Sequence, residues 1–171
     1  TISNNQCFNW FSASTSTSGL LIAGGNTVWS ITGNKLFQEA TRTYTAGTTH
    51  YGIQISNTTG NSFNISDNRI GHNSVAGTGA YTMAVSSTTL ALNYVAIALS
   101  VGASAATTVQ NNSIIGFTMT TGSTSSLGQG AWCGISVTAG VVNIGTVTGN
   151  VIGNSGADSI SVTNSYASSP S

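Results

Sequence analysis

Apolar and polar residues alternate along this chain in very short runs. Between positions 51 and 71 three runs follow one another: Gly52-Ile53-Gln54-Ile55, Ser62-Phe63-Asn64-Ile65 and Arg69-Ile70, with corners of Asn, Thr and Gly between them. Each run is too short for a helix and its period is two, so each predicts a strand with one face turned inward. The rest of the chain repeats this stretch. A bend form (Ile or Val, polar, Asn/Gly/Asp, Asn, any residue, apolar) recurs at 2–7, 31–36, 65–70, 109–114 and 147–152. A second form recurs as Gly19-Leu20-Leu21-Ile22, Gly52-Ile53-Gln54-Ile55, Ala96-Ile97-Ala98-Leu99, Gly134-Ile135-Ser136-Val137 and Ser159-Ile160-Ser161-Val162. The two forms alternate strictly.

Their spacing predicts the architecture. From the first apolar residue of the second form to the next bend takes 11 steps once and 12 steps three times, whereas the return takes anything from 13 to 32. Stacked coils behave this way: two strands keep register while one corner accepts insertions. The expectation is an all-β, single-stranded parallel β-helix over residues 1–164. It has about five coils of three short strands each, long loops on one edge, and a linker or tail over 165–171.

Corner chemistry points the same way. The residue before the shared Asn is Asn4, Gly33, Asp67, Asn111 or Gly149, the residue types that adopt a left-handed backbone most easily. The shared Asn5, Asn34, Asn68, Asn112 and Asn150 are then expected to stack, one per coil, as a structural ladder of side-chain amides.

With these motifs the chain resembles the right-handed parallel β-helix proteins of the pectate-lyase-like superfamily, in particular the repeat G-I-x-I followed by x-I-x-x-N-x-I. Gly52-Ile53-Gln54-Ile55 and Ile65-Ser66-Asp67-Asn68-Arg69-Ile70 carry the resemblance best, and it covers nearly the whole chain. It implies a fold more than a function, since the superfamily includes polysaccharide lyases, glycosidases, phage tailspikes and large bacterial adhesins.

Composition narrows the function. Charged residues make up 4% of 171 and the net charge is zero, while Ser, Thr and Asn number 26, 26 and 17. Hydroxyls and amides therefore do the solvating that charges usually do. Three basic residues make no phosphate-binding track, so nucleic acid is not an expected partner. The apolar stretch 91–106 is interrupted by Asn93, Ser100 and Ser104 and is too short to span a bilayer. The first residue stands one position before a core strand residue, and neither end shows a capping helix or a leader. The expected context is therefore a longer polypeptide, with the rest of that chain as partner.

The loops bring aromatic residues: Trp10, Tyr44, Tyr51, Tyr81, Tyr94 and Trp132. If all loops leave one edge, these six form an aromatic, hydroxyl-rich face suited to stacking on sugar rings. The competing reading is packing over the coil edge, favoured for Tyr51, Tyr94 and Trp132 because each shortly precedes an inward strand residue. The segment Tyr81-Thr82-Met83-Ala84-Val85 has the pattern of an extra strand.

Catalytic residues are sparse. Glycoside hydrolysis uses two carboxylates, and the chain has Glu39, Asp67 and Asp158 only. Asp67 is explained by its bend, and Glu39 beside Arg42 reads as a loop ion pair. Lyase-like relatives bind calcium through several acidic residues, a cluster this chain lacks. His50 and His72 lack a third ligand, so neither a metal nor any cofactor is expected. Cys7 takes the place of Leu36, Ile70, Ile114 and Ile152, and Cys133 has inward parity three coils away, so no disulfide is expected. Thr15/Thr17, Thr41/Thr43/Thr45 and Thr118/Thr120 resemble the flat threonine ranks of ice-binding β-helices. Counted from the shared Asn, however, they begin at unequal offsets, which argues against a regular rank. Asn57, Asn64 and Asn111 open glycosylation sequons that this composition produces by chance.

The expected function is a non-enzymatic stalk or adhesive segment of a secreted or cell-surface bacterial protein. It resembles the large surface proteins that Bacteroidetes export by type IX secretion, with surface glycans or secretion machinery as further partners. A polysaccharide-binding or polysaccharide-degrading domain is the alternative, and ice binding stands behind both.

Overall fold

A computed structural model describes residues 1–122, 130–156 and 159–165. The chain is all-β, and its strands form four parallel sheets. Sheet I contains, in order, β1 (Ile2–Ser3), β4 (Ser30–Thr32), β8 (Asn64–Ser66), β12 (Thr107–Gln110) and β16 (Val142–Ile144). Sheet II contains β2 (Gln6–Phe8), β5 (Lys35–Phe37), β9 (Arg69–Ile70), β13 (Ser113–Ile114) and β17 (Val151–Ile152). Sheet III contains β3 (Ser18–Ile22), β7 (Thr49–Asn57), β11 (Asn93–Val101) and β15 (Trp132–Ala139). Sheet IV contains β6 (Arg42–Tyr44), β10 (Tyr81–Val85), β14 (Phe117–Thr121) and β18 (Ile160–Asn164). From β3 onwards the chain visits the sheets in the circuit III, I, II, IV; before that, β1 and β2 lead from sheet I through sheet II directly to sheet III, with no sheet IV strand between. Every strand therefore pairs with the strand one circuit earlier or later.

The bend form supplies sheets I and II. Ile2, Ile31, Ile65 and Val109 stand in one register column, as do Cys7, Leu36, Ile70, Ile114 and Ile152. The second form supplies sheet III, where Leu20, Ile53, Ile97 and Ile135 align. These columns face one another and close the core. The small residue that opens the second form marks where the core is thinnest. A Cβ on Gly52 would lie 3.0 Å from Ile70 Cγ2 of sheet II, and on Gly19 3.0 Å from Leu36 Cδ2. Backbone of sheet III is thus pressed against side chains of sheet II, which leaves no room for a larger residue at either glycine.

Three expectations are corrected. The repeat has a fourth strand, because the segments assigned to loops contain β6, β10 and β14 of sheet IV. The strand anticipated at 81–85 is one member, β10. In the fifth repeat Val109 pairs with Ile144 rather than Val147, which is 89% exposed. Asn112 follows Val109 by 3 residues while Asn150 follows Ile144 by 6, so an insertion precedes the last bend. Finally, Ile160 pairs with Phe117 in sheet IV and so does not continue sheet III. The tail assigned to 165–171 begins on the sheet, with Ser165 N–H donating to Thr121 O at 2.7 Å; its remaining residues lie outside those described. Among the described residues no helix is long and apolar enough to cross a membrane.

Candidate functional site

The corner between sheets I and II carries a continuous column of amides. Asn5 Nδ2 donates to Asn34 Oδ1 (3.1 Å), Asn34 Nδ2 to Asn68 Oδ1 (3.0 Å), Asn68 Nδ2 to Asn112 Oδ1 (2.9 Å), and Asn112 Nδ2 to Asn150 Oδ1 (2.9 Å). Each of these oxygens also accepts the backbone N–H of the preceding Asn, at 2.9–3.1 Å. The Nδ2 groups of Asn34, Asn68, Asn112 and Asn150 reach back to the carbonyls of Ile2, Ile31, Ile65 and Val109. The chain can present an amide there because the residue before it turns left-handed: φ is 56° at Asn4, 67° at Gly33, 60° at Asp67 and 50° at Asn111. Gly149 does not share that conformation, consistent with the insertion before it.

The six aromatic candidates do not form one surface. Tyr44, Tyr81 and Tyr94 are fully buried, which corrects their assignment to a glycan-facing face. Period-two burial turns them inward: Tyr81 pairs with Phe117 in sheet IV, and Tyr94 pairs with His50 and Trp132 in sheet III. Together they build an internal seam where sheets III and IV meet. Tyr81 lies edge-on to Trp10 (6.0 Å) and Tyr94 (5.5 Å), and Phe117 lies edge-on to Trp132 (5.6 Å). Trp10 and Trp132 are half-buried and pack on the core. Burial pushes the Tyr44 hydroxyl up to about 12, against a hydrogen bond from Tyr81 and the charge of Arg42, which both lower it. Burial likewise raises Tyr81 and Tyr94 well above the usual phenol range. None of these phenols is an acid–base group at neutral pH.

Tyr51 alone remains on an outer face. With Gln54, Ser100, Ser136 and Thr138 it lines an open groove of about 340 Å³ on sheet III. Gln54 is held by Ser18, whose hydroxyl donates to Gln54 Oε1 at 2.6 Å. Cys133 stands beside this groove in register with Val95 and Tyr51, not inward as its parity suggested. Trp132, in register with the buried Tyr94, takes the inward position instead.

No catalytic constellation assembles among the described residues. Asp67 accepts from Asn111 Nδ2 at 2.6 Å in its bend. Glu39 accepts from Asn9 Nδ2 at 2.7 Å, and Arg42 also meets Asn9, so the two charges share an amide partner instead of pairing directly. Asp158 lies outside the described residues. His50 and His72 are separate: His72 Nδ1 lies 2.8 Å from Gly79 O, while His50 faces Tyr44 at 4.3 Å between ring centroids. No group of three His, Cys, Asp or Glu side chains that could hold a metal occurs among the described residues.

His50 is a neutral structural residue. Its Nδ1 lies 2.8 Å from Thr17 Oγ1 and its Nε2 2.6 Å from Thr48 Oγ1, so one hydroxyl donates and the other accepts. Burial lowers its pKa from 6.5 to about 4. The unfolded chain therefore binds the proton more readily, and stability is complete above pH 6.5 and falls as pH drops through 4. The expected loss over that window is ~2–3 kcal/mol. Urea unfolding of the wild type and of His50→Gln at both pH values measures it, and the variant should lose this part of the slope.

Comparison with family models, with curated proteins and with solved structures finds no match for this chain.

Proposed function

We propose that this chain is about five coils of a right-handed parallel β-helix of the pectate-lyase-like kind. In this reading it serves as a non-enzymatic structural or adhesive segment of a large secreted or cell-surface bacterial protein. The observation that carries this is the unbroken amide column from Asn5 to Asn150, because it ties every circuit to the next through side-chain bonds that are buried in the middle of the column. Such a segment adds ~4.8 Å of rigid reach per circuit and holds its edges at fixed spacing. The near absence of charge suits a part whose partners are the neighbouring segments of its own polypeptide.

A second reading rests on the groove at Tyr51. A tyrosine ring beside Gln54, Ser100 and Ser136 is the lining that a neutral sugar would need. A glycan array with the whole chain, paired with force spectroscopy of the chain between marker domains, separates the two. The structural reading expects no saturable glycan retention and a single high-force unfolding event. Retention that disappears in Tyr51→Ala would replace it with the carbohydrate reading.

A further inference from the structure

Sheet IV has an outward face unlike the other three. Tyr81, Met83, Phe117 and Met119 point into the core, so the residues between them point out. Thr82 pairs with Thr118 and Thr118 with Ser161, giving one column of hydroxyls. Thr43 pairs with Ala84 and Thr120 with Thr163; continuing the β10–β14 register places Ala84 beside Thr120 and completes a second column. The unequal offsets that argued against a regular rank are real: sheet IV strands begin 8, 13, 5 and 10 residues after Asn34, Asn68, Asn112 and Asn150. Segments of unequal length absorb the difference before each strand docks.

We infer that this face binds the surface of ice. The columns make a two-dimensional array, with hydroxyls ~4.8 Å apart across strands and ~6.7 Å apart along them. These spacings lie close to the repeats of oxygen along the a and c axes of hexagonal ice. A single hydroxyl gains nothing from solid over liquid water, since both offer hydrogen bonds. An array in register with the lattice is different, because it pins many waters at positions the crystal already occupies. Threonine suits this because its branched Cβ restricts χ1 and holds hydroxyl and methyl in place before binding.

Thr82 Oγ1 donates to Ala80 O at 3.3 Å, and the other hydroxyls of the two columns are available. Thr43, Thr118, Thr120, Ser161 and Thr163 all lie on the outward side, and their side chains make no hydrogen bond within the described residues. On sheet I, by contrast, Thr108 donates to Asn64 and Asn64 to Ser30. Sheet II presents Lys35 and Arg69, and sheet III presents Leu21 and Tyr51. The outward positions of sheet IV hold neither a charge nor an aromatic ring, so this face has nothing to stack on a sugar and nothing to bind an ion.

The test grows ice slowly from a solution of the whole chain and measures the protein in the solid and liquid fractions. Wild type should enter the ice. Thr118→Tyr should lower its incorporation at least tenfold with an unchanged thermal melt, while Thr32→Tyr on sheet I should leave it unchanged. Ala84→Thr fills the gap in the second column and should raise incorporation, which keeps the test decisive if Thr118→Tyr fails to fold. Exclusion of wild type from ice overturns the inference, as does an equal loss in Thr32→Tyr or no gain in Ala84→Thr. Sedimentation with microcrystalline cellulose by a chain that ice excludes, kept in Tyr51→Ala and lost in Thr118→Tyr, overturns it too and assigns the face to polysaccharide. None of these outcomes bears on the structural role of the amide column.

Discussion

Gly71→Ala is expected to cost more than about 4 kcal/mol and to leave little folded protein at 37 °C. Two effects add at this corner. Its φ is +119°, a conformation closed to residues with a side chain, and a Cβ there would lie 1.8 Å from Ile115 O of the next circuit. Because Ile115 is backbone whose N–H donates to Ile70 O at 3.1 Å, it cannot yield without opening the sheet. Two other glycines separate the causes. Gly25 has φ +84° with open space around it, so Gly25→Ala should show the conformational cost alone, ~1–2 kcal/mol. Gly149 has neither the positive φ nor a close neighbour, and Gly149→Ala should stay within ~0.5 kcal/mol of wild type. Urea unfolding of the three variants measures all of this. Equal losses in Gly71→Ala and Gly25→Ala would show that close approach of the circuits is not what demands glycine.

Asn68→Ala should cost ~3–5 kcal/mol, far more than the same change at the end of the column. Asn68 is buried, and its side chain makes four hydrogen bonds: Nδ2 to Ile31 O (2.8 Å) and to Asn112 Oδ1 (2.9 Å), with Oδ1 accepting from the N–H and Nδ2 of Asn34 (3.0 Å each). Truncation leaves the Asn34 N–H without a partner and strips a bond from the Ile31 carbonyl in a place water does not reach, and that penalty exceeds the net worth of the bonds. Asn5 is exposed, so water replaces what Asn5→Ala removes, and the change should cost no more than ~1 kcal/mol. Asn68→Asp is expected to fail as badly as alanine, since a carboxylate has no donor for Asn112 Oδ1. Hydrogen exchange at the Asn34 amide would report the damage locally. Similar losses in Asn5→Ala and Asn68→Ala would mean that the column is not a stabilising unit.

Local pattern made part of this molecule legible. The 11- or 12-residue step between the Gly-Ile form and the next bend corresponds to sheets III and I in three circuits, from Leu20 to Ile31, Ile53 to Ile65 and Ile97 to Val109; the fourth such step ends on Val147, which the sheet leaves exposed in favour of Ile144. Asn and Gly before the shared amide announced left-handed corners because few other residues tolerate them, and four of the five adopt that geometry. Cys7 was readable as a member of an inward column for the same reason: its position relative to the bend is fixed.

Sheet IV was legible as one candidate strand at 81–85 and as the strand at 159–162, which the pattern assigned to the wrong sheet. Its strands start at variable distances from any marker, and alternation in Phe117-Thr-Met-Thr-Thr says that one face is buried without saying against what. Long-range pairing sets the register: Thr118 finds Thr82 and Ser161 because Phe117 and Met119 must enter the core beside Tyr81 and Met83. The aromatic residues teach the same lesson. Tyr44, Tyr81 and Tyr94 look alike in a polar stretch, whether they face solvent or the interior, until neighbouring circuits close over them. Residues close in sequence thus specified which corners turn and which column each bend supplies. Which loop side chains are inside, and which outward hydroxyls share a plane, depended on contacts between circuits dozens of residues apart.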